Sequence, residues 1–161
     1  MKGDNRPMSG QDLSAGHNKL TVLVVEDHAD ALTALAKLLR MDGHTVYTAD
    51  GYQAALDVAK KQKLDLALLD IALWDGDGCN LLRDLQKLQR LQAIAVTGFT
   101  LADEVAHYRD VGFAAVLAKP LGPSQLRFAI SHIMSTMQAH ARTEDLRGSS
   151  QDSAAPPSGN G

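Results

Sequence analysis

Residues 64–78 read Leu-Asp-Leu-Ala-Leu-Leu-Asp-Ile-Ala-Leu-Trp-Asp-Gly-Asp-Gly. Leu64 to Leu69 is an apolar run with the length of a buried strand, and it closes on Asp70 rather than on a turn residue. An ionised carboxylate at the edge of a hydrophobic core is costly unless something pairs with it. The rest of the sequence therefore has to supply Asp70 with partners.

Outward from this run, two periods alternate. Leu20–Val25 is short and β-branched, a buried strand, and Leu32, Leu35, Leu38 and Leu39 then recur at helical spacing until Gly43. Thr45–Ala49 is a second strand, followed by a helix carrying Ala54, Ala55, Val58 and Ala59. After the strand at 64–69, Leu81, Leu82, Leu85 and Leu88 mark a third helix. Ala93–Val96 is a fourth strand, with a helix on Leu101, Val105 and Tyr108 that Gly112 ends. Ala114–Ala118 is the fifth, and the last helix starts at Pro123, a residue favoured in a first helical turn. Five βα units in strict alternation predict a (βα)5 α/β fold, a doubly wound, five-stranded parallel sheet for which right-handed crossovers leave few topologies.

Composition bounds the rest. The 161 residues fit one domain with tails, placed at 19–141 with disordered ends at 1–18 and 142–161. Pro7, Pro156 and Pro157 lie in those ends, and no proline interrupts Leu20–Lys119. A net charge of −3 gives no reason to expect nucleic-acid binding, and no apolar run approaches the length of a membrane span. One cysteine, Cys79, fits a reducing compartment, and with no apolar signal segment a cytoplasmic location is expected.

In open parallel sheets, ligands bind beyond the carboxyl ends of the strands. Those ends carry Glu26-Asp27, Asp70, Thr97-Gly98 and Lys119-Pro120, while Asp50, after the second strand, is assigned no role. Three acids on one rim repel each other and call for a hard divalent cation, with Mg²⁺ suited to an all-oxygen set. A cation, an ammonium and a hydroxyl around one carboxylate make a site for phosphoryl transfer, where catalysis is mainly positioning and charge neutralisation.

With these residues in place, the chain from Leu20 to about His140 resembles a response-regulator receiver domain of two-component signalling, of the stand-alone type, which implies a flavodoxin-like sheet of strand order 2-1-3-4-5. VLVVEDHADAL resembles the family's acidic-pair segment, LALLDIAL its phosphoacceptor segment, AIAVTG its Thr segment and VLAKP its Lys-Pro segment. The resemblance implies that Asp70 accepts a phosphoryl group from a phosphohistidine donor, carried by a sensor histidine kinase or a histidine phosphotransfer protein. It implies Mg²⁺ ligands at Glu26, Asp27, Asp70 and the backbone carbonyl of Ala72. It implies that Thr97 donates to the phosphoryl group and that Lys119 pairs with it, or with Asp70 at rest. Such a protein is not an ordinary enzyme, although it catalyses its own aspartyl phosphorylation and slow dephosphorylation.

Two departures stand out. Trp74 occupies a place where many relatives carry Pro, and Val116 a place where many carry a Tyr or Phe that swings on activation. The switch candidates are thus Thr97, Val116 and, as a substitute aromatic, Phe99. Ala72 and Phe99 offer no group to orient water, so slow loss of the phosphoryl group is expected. DGDGCN at 75–80 lacks the ligands of a calcium loop, Cys79 reads as packed, and His28 reads as a solvated loop residue.

The expected function is a phosphorylation-dependent switch acting on a downstream protein partner. A pseudo-receiver binding module and a receiver fragment of a hybrid histidine kinase are the alternatives. A homodimer or partner face built from Tyr108, Val116, Arg127 and Phe128 is expected.

Overall fold

The computed structural model describes residues 19–98 and 100–148. Of the ends expected to be disordered, 1–18 and 142–161, residues 1–18 and 149–161 lie outside the described residues, as do the roles given to Phe99.

Five strands, β1 (Thr21–Val25), β2 (Thr45–Ala49), β3 (Leu66–Asp70), β4 (Gln92–Thr97) and β5 (Ala115–Ala118), form one parallel sheet in the order β2-β1-β3-β4-β5. Between and after them run α1 (Ala29–Met41), α2 (Tyr52–Lys61), α3 (Gly78–Leu88), α4 (Ala102–Val111) and α5 (Pro123–Gly148). This is the doubly wound, five-stranded sheet predicted from the alternation of periods.

The three central strands β1, β3 and β4 have no polar face, because both of their faces are covered. Val22, Val24, Leu66, Leu68, Ile94 and Val96 pack against Ala36 and Leu39 of α1 and Leu126, Ile130 and Ile133 of α5. Their neighbours along the strands, Leu23, Val25, Ala67, Leu69, Ala93 and Ala95, pack against Ala55 and Ala59 of α2, Leu81, Leu82 and Leu85 of α3 and Tyr108 of α4. The period of two along each strand thus divides one run of apolar residues between two cores. Each fully buried Leu, such as Leu23, Leu69 or Leu85, contributes on the order of 2 kcal/mol from its removal from water.

The helix ends follow from local chemistry. Asp30 in the first turn of α1 and Arg40 in its last complement the helix dipole. Gly43 and Gly112 then take the left-handed conformations, φ +94° and φ +123°, that close α1 and α4. Asp77 caps α3, its carboxylate accepting the N–H groups of Cys79 and Asn80 at 2.6 and 3.3 Å.

Two boundaries differ from expectation. The third strand is Leu66–Asp70, so Asp70 itself belongs to the ladder, paired with Val96. Leu64 stays buried, but its N–H goes to Oε1 of Gln89 at 2.8 Å instead. At the other end, α5 continues through residues 142–148, past the boundary expected at 141. Nothing from Gln138 to Arg147 is Gly or Pro, Thr143 Oγ1 bonds back to the Ala139 carbonyl at 3.0 Å, and Glu144 lies 3.7 Å from Arg90. A stretch of helix formers continues a helix until something stops it.

No helix among the described residues is long and apolar enough to cross a membrane.

Candidate functional site

The parallel sheet points the carboxyl ends of β1, β3, β4 and β5 to the same rim. Glu26 and Asp27 follow β1 directly, Asp70 and Thr97 end β3 and β4, and Lys119 follows β5. Glu26, Asp70 and Thr97 are the only buried polar residues among those described, at 2%, 4% and 3% exposure. Burial at that depth is tolerated for a charge only when it is paired.

The pairing is visible. Lys119 Nζ donates to Asp70 Oδ2 at 2.8 Å and lies 3.0 Å from Glu26 Oε2, so one ammonium bridges two buried carboxylates. Asp70 Oδ1 accepts the Ala72 N–H at 3.1 Å. Glu26 Oε1 accepts the His28 N–H at 3.1 Å and faces His28 Nδ1 at 3.0 Å. The question raised by residues 64–78 is answered by Lys119, 49 residues further on.

The two buried acids respond in opposite directions. Burial would raise the Glu26 carboxyl, but the hydrogen bonds from Lys119 and His28 outweigh it and hold Glu26 below the usual carboxylate range. Burial raises Asp70 above that range, and the nearby Glu26 charge adds to it, against the pull of Lys119. Burial alone would lower Lys119, yet its bonds to Asp70 and Glu26 win and raise it. His28 is raised by its hydrogen bond to Glu26 and by the charges of Asp27 and Glu26. Its ring is exposed, but Nδ1 sits against both acids, so the reading of a plain solvated loop residue is corrected.

Asp27 completes the acid set. Its Oδ2 accepts the Trp74 N–H at 3.0 Å. Its Oδ1 is buried, 3.1 Å from His28 Nδ1, and receives no hydrogen bond. Ligand atoms of Glu26, Asp27, His28 and Asp70 all lie within 4.8 Å of one another. Crowded carboxylates with one buried oxygen left without a donor fit a hard cation such as Mg²⁺.

The loops that frame the rim are tightly seated. Gly78 starts α3 so close to the end of β3 that an added Cβ would stand 2.5 Å from the Asp70 carbonyl oxygen, and its N–H donates to Ile71 at 2.9 Å. Before it, Ala72–Leu73 pairs antiparallel with Gly76–Asp77, folding the loop back on itself. The Lys119 N–H donates to the Thr97 carbonyl at 2.9 Å, and the Lys119–Pro120 bond is cis.

Other expected residues are distributed differently. Val116 is half-buried, packs on the α2–α4 side of the sheet and lines the same cleft as Phe128. Tyr108 is buried edge-to-face against Phe113, and Arg127 holds Asp42, beside the end of α1, through two bonds at 2.8 and 3.0 Å. Neither is on the expected docking face. Phe128 is exposed there, beside a cleft it shares with Arg109, Ala114, Gln125 and His132. Cys79 is buried, and burial pushes its thiol up to about 11, so it is packed and unreactive. Sequence reasoning missed the caps supplied by Asp75 and Asp77. An Asp shortly before the Leu81–Leu88 stripe was the available signal for Asp77.

Comparison with known proteins agrees with this geometry. Residues 22–131 match the response regulator receiver domain family. The chain is 29% identical over 136 residues to the alginate biosynthesis transcriptional regulatory protein AlgB of Pseudomonas putida, covering 84% of this chain and 30% of that protein. It is 33% identical over 106 residues to the KDP operon transcriptional regulatory protein KdpE of Escherichia coli, covering 66% and 47%. With the sensor histidine kinase AruS of Pseudomonas aeruginosa it shares 35% over 133 residues, 80% of this chain and 13% of the kinase. The chain thus spans less than half the length of each of these three relatives. A CheY-like receiver domain from Methanospirillum hungatei superimposes with a TM-score of 0.70 at 26% identity, over 75% of this chain and 98% of that one. The chain belongs to the response regulator receiver domain family of two-component signalling.

Proposed function

We propose that this receiver domain is a phosphorylation-dependent switch in which Asp70 takes a phosphoryl group from a phosphohistidine. The observation that carries the reading is the single Lys119 ammonium shared by buried Glu26 and Asp70, next to a buried Asp27 oxygen with no donor. In the transfer, an Asp70 carboxylate oxygen forms the O–P bond as the P–N bond of the donor breaks, and the electron pair leaves with the imidazole nitrogen.

Glu26, Asp27, Asp70 and the Ala72 carbonyl are the residues that would hold Mg²⁺, which supplies charge neutralisation to the phosphoryl oxygens when bound. Lys119 would add a second positive charge beside Asp70 Oδ2 and Glu26 Oε2, and Thr97 a hydroxyl from β4. Ala72 N–H holds Asp70 Oδ1 and so limits rotation of the carboxylate. Beside the acids, α1 and the β5–α5 loop border a groove of about 920 Å³ lined by Leu35, Leu38, Lys119 and Pro120. It supports docking of a histidine kinase or phosphotransfer protein. The output is a change in binding to a downstream protein, and a cytoplasmic location belongs to the same proposal.

The test is incubation with Mg²⁺ and acetyl phosphate, followed by intact mass, beside Asp70→Asn. One Mg²⁺-dependent phosphoryl adduct, absent from the variant, is expected. No adduct from acetyl phosphate or from a phosphorylated phosphotransfer protein would reduce the domain to a pseudo-receiver. A second reading, a receiver portion of a hybrid kinase, is favoured by the similarity to AruS. It keeps the same chemistry at Asp70 and differs in what the domain is joined to.

A further inference from the structure

Helix α2 begins without a cap of its own. Its N-cap is Gly51, which has no side chain to accept the first N–H groups. The cap comes from the β3–α3 loop instead. Asp75 Oδ1 accepts the Tyr52 N–H at 2.7 Å, and Oδ2 accepts the Gln53 N–H at 3.3 Å. A carboxylate there satisfies orphan donors and complements the helix dipole.

The residue before it touches both α2's entry and the acid cluster. Trp74 donates its backbone N–H to Asp27 Oδ2 at 3.0 Å and its indole Nε1–H to the Asp50 carbonyl at 3.2 Å. The fit is close on both sides. A Cβ on Gly51 would stand 2.9 Å from both Asp75 oxygens and from Trp74 Nε1, and one on Gly76 would stand 2.5 Å from the Tyr52 ring. The loop is therefore fastened to α2 at Asp75 and to Asp27 at Trp74, one residue apart.

We infer that Asp75 is a positioning residue of the cation site. By capping α2 it fixes Trp74, whose N–H holds Asp27 Oδ2 and leaves the buried, donor-free Oδ1 for the ion. Asp75 itself does not touch the ion. The inference rests on the proposed reading of Glu26, Asp27 and Asp70 as a cation site. Partners that orient metal ligands through hydrogen bonds commonly change affinity tenfold or more when removed.

The experiment measures Mn²⁺ binding to the full chain by loss of the free-ion electron paramagnetic resonance signal, with Mg²⁺ as competitor. Asp75→Ala is expected to weaken both ions about tenfold. Asp75→Asn, which keeps an acceptor oxygen for the Tyr52 N–H, is expected to stay within about threefold of the wild type, because Asn caps as well as Asp. Circular dichroism establishes that each variant is folded. Unchanged affinity in Asp75→Ala overturns the inference. So does an Asp75→Asn as weak as Asp75→Ala, which would assign the effect to negative charge acting at a distance. Should Asp75→Ala unfold, Gly51→Ala takes its place, since its Cβ would crowd both oxygens of the capping carboxylate together with Trp74 Nε1, loosening the same fastening of the loop to α2. Weaker binding there supports the inference, and wild-type affinity overturns it. A wild-type chain that binds neither ion removes the cation-site reading itself, and the role of Asp75 with it.

Discussion

The backbone N–H of Trp74 donates to Asp27 Oδ2 at 3.0 Å, tying the chain's only tryptophan to a candidate cation ligand 47 residues away. Proline has no N–H and could not make this bond. The indole itself is 75% exposed and donates through Nε1 to the Asp50 carbonyl.

That tie makes Trp74 a reporter. Titration with Mg²⁺ is expected to change its emission intensity, and Asp27→Asn is expected to abolish the response. A response that persists in Asp27→Asn would locate the ion elsewhere.

Lys119 bridges two buried carboxylates, so its removal leaves Asp70 without its ammonium partner and Glu26 with His28 alone. Breaking a buried ion pair from one side costs roughly 3–5 kcal/mol. Lys119 is one-third exposed, and water reduces that cost, so Lys119→Ala is expected to destabilise the metal-free protein by about 2 kcal/mol. Millimolar Mg²⁺ should recover part of the loss. Urea unfolding with and without the ion checks both statements.

His44 sets a pH dependence at the other end of α1. Its Nδ1 accepts the Leu20 N–H at 3.1 Å, and burial lowers its pKa below the ordinary 6.5, against a smaller opposing effect of Asp42. Below 6.5 the unfolded chain takes a proton that the folded chain refuses, so acid favours unfolding. The stabilisation is full above 6.5 and is lost as pH falls toward the folded pKa. His44→Asn, whose side-chain oxygen can accept the same N–H, is expected to show a flatter dependence between pH 7 and 5. Comparing wild type with this variant cancels contributions common to both, including His28, whose raised pKa acts in the opposite sense.

The Ala72 side chain is exposed at the rim, and it carries no group to orient water toward a phosphoryl group on Asp70. The phosphorylated form is expected to persist for minutes or longer. Ala72→Asn is expected to shorten its lifetime by about tenfold, less than the hundredfold and more of a true general base. Intact mass followed over time after removal of the phosphodonor measures both.

The sheet and the acids were legible because the same residues serve two patterns. Val22–Val25 and Leu66–Leu69 are apolar throughout since both faces are covered, and a charge directly after such a run has one place to go, the strand-end rim. Lys119 could be placed there by the same reasoning. Tyr108 and Arg127 could not, because helical spacing gives the faces of α4 and α5 without saying which face meets the sheet. Tyr108 turned inward to Phe113, and Arg127 turned to Asp42. Asp75 was hidden for a different reason. It caps a helix 23 residues earlier in the chain, and no local signal marks a cap supplied across such a distance.

The length of α5 sets the two ends of the molecule apart. Its 26 residues reach about 39 Å, whereas a five-residue strand rises only about 17 Å. Starting at Pro123, beside the acids, it runs antiparallel to the strands and passes Asp65, Arg90 and Gln92, where β3 and β4 begin. Gly148 therefore stands at the pole opposite Asp70. The helix is thus one rod with the chemistry beside its first turn and its last turns at the far edge of the sheet.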